Sequence, residues 1–127
     1  MVQQVARIFG VVFLLVAILG FLASGMSMEA DPALAPRVLG LFPVNVLHNV
    51  VHLLFGIWGL AASRTVTAAT QYAKIAGGIY VVLAVLGFIA PTTFGLIPIG
   101  GHDIWLHALL GGVLVAVGFM APKSATL

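Results

Sequence analysis

Apolar residues fall into four runs, Val5 to Ala23, Val44 to Ala62, Gln71 to Ala90 and Ile104 to Ala121. Each run is about 18–20 residues long, the length a helix needs to cross some 30 Å of hydrocarbon. Helices are the expected form, because a segment in lipid must satisfy its own backbone polar groups. The prolines Pro32, Pro36, Pro43, Pro91, Pro98 and Pro122 lie outside the runs or at their ends, where helix breakers belong.

The second run is not uniformly apolar. On a helix each residue turns about 100°, so positions four apart lie about 40° apart around the axis. Asn45, His48, Asn49, His52, Gly56, Gly59 and Ser63 then share a sector of about 100°. One side of this helix is polar or small, and the other is Val, Leu, Ile, Phe and Trp.

The runs also repeat. Arg7–Ala23 aligns with Lys74–Ala90 at an offset of 67 residues, matching Gly10 with Gly77, Ala17 with Ala84 and Gly20-Phe21 with Gly87-Phe88. The second and fourth runs align at an offset of 55, matching Pro43 with Pro98, His48 with Asp103, His52 with His107 and Gly56 with Gly111. An offset spanning two helices preserves direction, so the halves are expected to be parallel repeats about an axis along the membrane normal. The predicted architecture is an all-α integral membrane four-helix bundle of two helical hairpins. It forms a single transmembrane domain over residues 1–127, with repeat halves at about 1–63 and 68–127. The first run could also be read as a cleavable signal peptide ending near Ala23-Ser24-Gly25, a reading the repeat argues against. The longer first connection, Ser24 to Pro43, is expected to hold a short interfacial helix or a cap over the mouth of the bundle, and the tail after Pro122 to be disordered.

Composition sharpens the class. The chain is 62% hydrophobic and 6% charged, against roughly 25% charged in a soluble domain, so its expected partner is the lipid bilayer. A net charge of +2 gives no reason to expect nucleic acid. The absence of cysteine excludes disulfides, thiolate metal sites, iron–sulfur clusters and covalent c-type haem attachment. Arg7, Arg64, Lys74 and Lys123 flank one set of span ends, whereas Glu29, Asp31 and Asp103 lie at the other with only Arg37 beside them. Basic residues favour the cytoplasmic side, so both termini are expected to be cytoplasmic and the connections after the first and third spans outside.

Ionisable groups at membrane depth are costly and usually face the bundle interior. If the second and fourth helices face each other, His48, His52, Asp103 and His107 converge in the outer half of the bilayer. Three chemistries fit that cluster. A metal ion (Zn, Cu or Fe) suits three imidazoles and a carboxylate, with Asn45 and Asn49 orienting ring nitrogens. Haem or another tetrapyrrole suits His52 and His107 as axial ligands, with Gly56 and Gly111 leaving space for a flat ring. A His/Asp relay suits proton or ion movement. The bland alternative is that histidine and asparagine pair helices by hydrogen bonds. Met26 and Met28 offer thioethers for Cu(I), although methionines near a membrane surface are more often apolar anchors. Trp58, Trp105, Tyr72 and Tyr80 are expected to be packing or interfacial residues, with Trp105 and Tyr72 near span ends. Gly77-Gly78 and Gly111-Gly112 are expected to allow close helix approach. No nucleophile–base arrangement and no HExxH motif occurs, which points away from an enzyme. The bundle is expected to pack as a homo-oligomer or within a larger membrane complex.

The run Asn45-x2-His48-Asn49-x2-His52, followed by the Asp103–His107 turn, resembles a family of small bacterial four-span membrane proteins of unknown function. The resemblance covers nearly the whole chain. It implies a four-helix protein of a bacterial inner membrane and implies no activity.

Overall fold

The computed structural model describes residues 1–122, so the expectation for the tail after Pro122 lies outside the described residues. Four helices follow one another: α1 Val2–Ser24, α2 Val46–Ala62, α3 Val66–Ile89 and α4 His102–Met120. The all-α bundle expected from the four runs is what forms. By length and hydropathy α1, α3 and α4 can each cross a membrane, whereas α2 is shorter at 17 residues. The expected second span starts two residues early, because Asn45 is extended and caps α2, its side chain accepting from the His48 N–H at 2.9 Å. Thr65 caps α3 in the same way through Ala68 N–H, so the tight Ser63–Thr65 connection makes α2 and α3 antiparallel.

The main packing pairs are α1 with α2 and α3 with α4. The buried stripe of α1 is Val2, Ala6, Gly10, Phe13, Ala17 and Gly20. Its counterpart on α3, Ala69, Ala73, Gly77, Tyr80, Ala84 and Gly87, lies at the 67-residue offset throughout. Large apolar side chains such as Ile8, Leu15, Leu22, Phe88 and Phe119 are exposed instead. Small residues inside and large ones outside are what helix association in lipid favours, because close backbone approach supplies the packing.

The two hairpins share one contact register. A Cβ on Gly10 would lie 2.8 Å from Leu60 N, and one on Gly77 2.7 Å from Val115 N. In the reverse direction, a Cβ on Gly56 would meet Leu14 and one on Gly111 would meet Val81 N at 2.8 Å. Each pair maps onto its counterpart by the two sequence offsets.

The connections carry the repeat further than the helices suggested. The Val44 N–H donates to Pro36 O and the Ile99 N–H to Pro91 O, both at 2.8 Å, so the 55-residue offset reaches back to Pro36. Leu39 and Gly40 have φ of 55° and 69°, and their counterparts Phe94 and Gly95 have 58° and 83°. The first connection holds no helix. A minimal antiparallel ribbon, β1 Arg37–Val38 with β2 Phe42–Pro43, stands where a short interfacial helix was one expectation. Its left-handed Leu39–Gly40 turn is incompatible with a continuing helix. The ribbon bears out the other expectation, a cap, since β1 packs on α1 and β2 on α4.

Candidate functional site

α2 and α4 start at the same end of the bundle, so their first turns bring His48, His52, Asp103 and His107 to one place. All four are buried, none more than 7% exposed. Five rings close a loop there. His48 stacks on His52 at 4.6 Å between centroids, His52 on Phe13 at 5.9 Å, Phe13 meets Tyr80 at 5.1 Å, Tyr80 stacks on His107 at 4.9 Å, and His107 returns to His48 at 6.0 Å. Phe13–His52 and Tyr80–His107 are the same pair in the two halves.

The ring nitrogens are unevenly engaged. His48 Nδ1 donates to Pro43 O at 3.1 Å and His107 Nδ1 to Asp103 O at 2.7 Å. Each bond stays on the residue's own helix or its lead-in, and each leaves Nε2 as the acceptor nitrogen. His48 Nδ1 is also 3.9 Å from Asp103 Oδ2, beyond hydrogen-bond length. His52 Nδ1 and Asp103 Oδ2 are buried without a partner. A buried polar atom left unpaired costs about 1–3 kcal/mol, so two in one cluster require an explanation.

The cluster forms one side of a cavity of about 200 Å³ between α1 and α4. Phe13, Tyr80, Leu106 and Leu110 make apolar walls, and Val38, Leu39 and Phe42 of the ribbon make the roof.

Other expected site residues stand elsewhere. Asn45 and Asn49 touch no ring nitrogen: Asn45 donates to Leu96 O at 2.8 Å, tying the two connections, and Asn49 donates to Ser24 Oγ at 2.8 Å, tying α2 to α1. Gly20 makes room for the Asn49 amide. Gly56 and Gly111 abut Leu14 and Val81 on neighbouring helices, so the space beside them is filled by chain. His102 is exposed and its Nδ1 accepts from Trp105 Nε1 at 3.0 Å, on a face that Phe42 adjoins. Of the two roles expected for Tyr72, packing and interfacial, the structure shows packing: the residue is fully buried. Its ring meets Trp58 edge-on at 4.9 Å and its hydroxyl donates to Phe55 O at 3.3 Å. Met26 and Met28 are exposed. Among the described residues, no group of three or more His, Asp or Glu side chains is arranged to hold a metal ion.

Sequence reasoning did not single out Phe13 or Tyr80 as parts of the site. The signal was available, because the 67-residue offset superposes them as the one aromatic pair on otherwise small-residue stripes.

A bundle of apolar helices with small residues inside, large apolar side chains outside and a buried His/Asp cluster defines an α-helical membrane protein. The chain belongs to the family described as a domain of unknown function, DUF4383, matched over residues 3–120. No curated protein and no solved structure matches it.

Proposed function

We propose that the chain is a binding protein of the membrane rather than a catalyst, and that its His48/His52/Asp103/His107 cluster engages a small ligand in the adjoining cavity. The observation that carries this reading is the pair of unpartnered buried atoms, His52 Nδ1 and Asp103 Oδ2, in residues that line a cavity. A ligand with a polar group at the buried end of the cavity would offer these atoms partners. Helix pairing explains the cluster less well, because no side-chain hydrogen bond joins α2 to α4 among the described residues and the two bonded ring nitrogens use local carbonyls. In the orientation that the basic residues favour, both termini lie in the cytoplasm and the cluster sits in the outer half of the bilayer.

A transition-metal ion is the second reading. Four donor side chains from two helices in one buried cluster favour it. It requires His48 and His52 to unstack, since in-plane lone pairs of near-parallel rings do not point at a common centre. A tetrapyrrole between His52 and His107 would have to displace the Phe13 and Tyr80 rings that bridge them.

The test is an absorption spectrum, elemental analysis and extraction mass spectrometry on one gently solubilised sample. A bound organic molecule that is lost from Asp103→Asn and His52→Phe is the expected result. Stoichiometric metal lost from the His52→Ala, His107→Ala double variant would replace it with the metal reading. A folded protein holding neither, and indifferent to Asp103→Leu apart from a gain in stability, would sink both.

A further inference from the structure

The pseudo-symmetry of the bundle makes the cavity informative. The α1–α4 crevice has an equivalent, the α3–α2 crevice, in which every lining position has a counterpart at one of the two offsets. There the position of Leu110 is taken by Phe55, and that of Val113 by Trp58. Phe55 meets Tyr80 at 5.5 Å and Trp58 meets Tyr72 at 4.9 Å, so aromatic rings fill that crevice. The α1–α4 side carries Leu110 and Val113 at those places and keeps a void beside Leu110.

The void has a direction. Its roof is the ribbon, seated on both α1 and α4. Its exposed lining residues are all apolar: Val12 and Leu19 of α1 are 39% and 45% exposed on the bundle's apolar perimeter, and Leu39 of the roof is 78% exposed. A ligand therefore arrives from the lipid. The lining contains no Lys or Arg to offset a charge beside Asp103, which excludes an anionic headgroup. Its size also selects. An engineered apolar cavity of about 150 Å³ takes benzene, so about 200 Å³ takes one substituted ring. The Phe13 and Tyr80 rings on its wall offer that ring aromatic contact. The two unpartnered atoms call for a hydrogen-bonding oxygen at the buried end.

We propose that the α1–α4 crevice binds, from the side of the bilayer, an uncharged lipid-soluble molecule headed by a single oxygen-bearing ring, a phenol or quinone, with its oxygen on His52 and Asp103 and its tail in the lipid. This rests on the binding reading above and names its ligand class and route.

The test uses the full chain in phosphatidylcholine nanodiscs, with decyl-benzoquinone and its hydroquinone as probes and oxygen-free decylbenzene as control. Native mass spectrometry counts adducts against probe mole fraction in the lipid. One saturable adduct is expected, with at least tenfold preference for an oxygenated probe over decylbenzene. Leu110→Phe, which copies the filled crevice, should weaken binding at least tenfold with helix content unchanged. Val16→Phe, filling the crevice from α1, should do the same and serves if Leu110→Phe misfolds. Asp103→Asn should cost a similar factor with the crevice still open. Equal binding of probes and decylbenzene, or probe binding indifferent to both filling variants, overturns the proposal. If the probes fail while a copurified molecule or metal still depends on Asp103 or the histidines, only the ligand class and route are wrong and the binding reading stands. If no substitution in the cluster changes any bound species, both fall.

Discussion

Two crevices separate the hairpins, and the two sequence offsets relate them position by position. On the α2–α3 side Phe55, Trp58, Tyr72 and Tyr80 interlock edge to face, with the Tyr72 hydroxyl bonded to a backbone carbonyl. On the α1–α4 side Leu110 borders a cavity whose polar side carries two unpartnered atoms, His52 Nδ1 and Asp103 Oδ2. The internal repeat supplies a symmetric scaffold, and a few aromatic-for-aliphatic differences decide which crevice is filled and which keeps a void. The glycine contacts, the ring pairs and the left-handed Leu39–Gly40 and Phe94–Gly95 steps are alike in both halves; the fill is not.

The shared scaffold is where the largest effects belong. Gly10→Val and Gly77→Val each drive a side chain into the backbone of the partner helix. Each is expected to cost about 2–3 kcal/mol, toward the upper end for overpacking, and the two costs should agree within about 1 kcal/mol in reversible unfolding from lipid or detergent. A large disparity would mean that the halves are not energetically equivalent.

Next comes the contrast in fill. Phe55→Ala removes a ring from a packed crevice and should cost about 2–4 kcal/mol, somewhat less than in a soluble core because lipid tails are themselves apolar. Leu110→Ala enlarges a void that already exists and should cost about 1 kcal/mol, since fewer contacts are lost. Equal costs in the same unfolding assay would show that the cavity is closed in the membrane.

Most of the frame was legible in the sequence because its physics is periodic. Membrane length fixed the runs, small residues at helical spacing marked the buried stripes, and the two offsets placed His52 opposite His107. The asparagines misled because an amide beside histidines fits a ligand's outer support as well as a cap; only the extended backbone at Asn45 and the proximity of Ser24 to Asn49 separate the two. Tyr72 was legible only as packing or interfacial, because distance from a span end says nothing about which neighbour covers the ring. The ribbon was hidden in Val38-Leu39-Gly40-Leu41-Phe42, where a leucine rather than asparagine or glycine takes a left-handed conformation. The cavity was readable in principle: the 55-residue offset sets Leu110 against Phe55, a difference that matters only once both crevices are known to be equivalent.

Filling the open crevice should be mildly favourable. Leu110→Phe adds contacts where there is free volume and should stabilise the fold by up to about 1 kcal/mol, read as a raised melting temperature in nanodiscs, while it removes ligand binding. Loss of stability instead would mean that the void collapses in lipid and is not available to a ligand.

The smallest expected effect separates the two connections. Leu39 and Phe94 occupy equivalent turns with φ of 55° and 58°, a conformation that costs a non-glycine residue about 1 kcal/mol and that asparagine tolerates. Leu39→Asn and Phe94→Asn should therefore each recover about 0.5–1 kcal/mol. Their consequences for binding should differ. Leu39 lines the cavity roof and Phe94 does not, although both side chains are largely exposed, at 78% and 81%. Leu39→Asn replaces an apolar contact above the ligand ring with an amide and should weaken binding of the decyl-benzoquinone probe several-fold, while Phe94→Asn leaves it unchanged. If both variants stabilise and neither affects the probe, the ribbon is a turn held in common by the two halves and takes no part in closing the cavity. If Leu39→Asn alone weakens the probe, the strain at Leu39 is tolerated because it seats a leucine over the site, and the first connection has diverged from the second to form its roof.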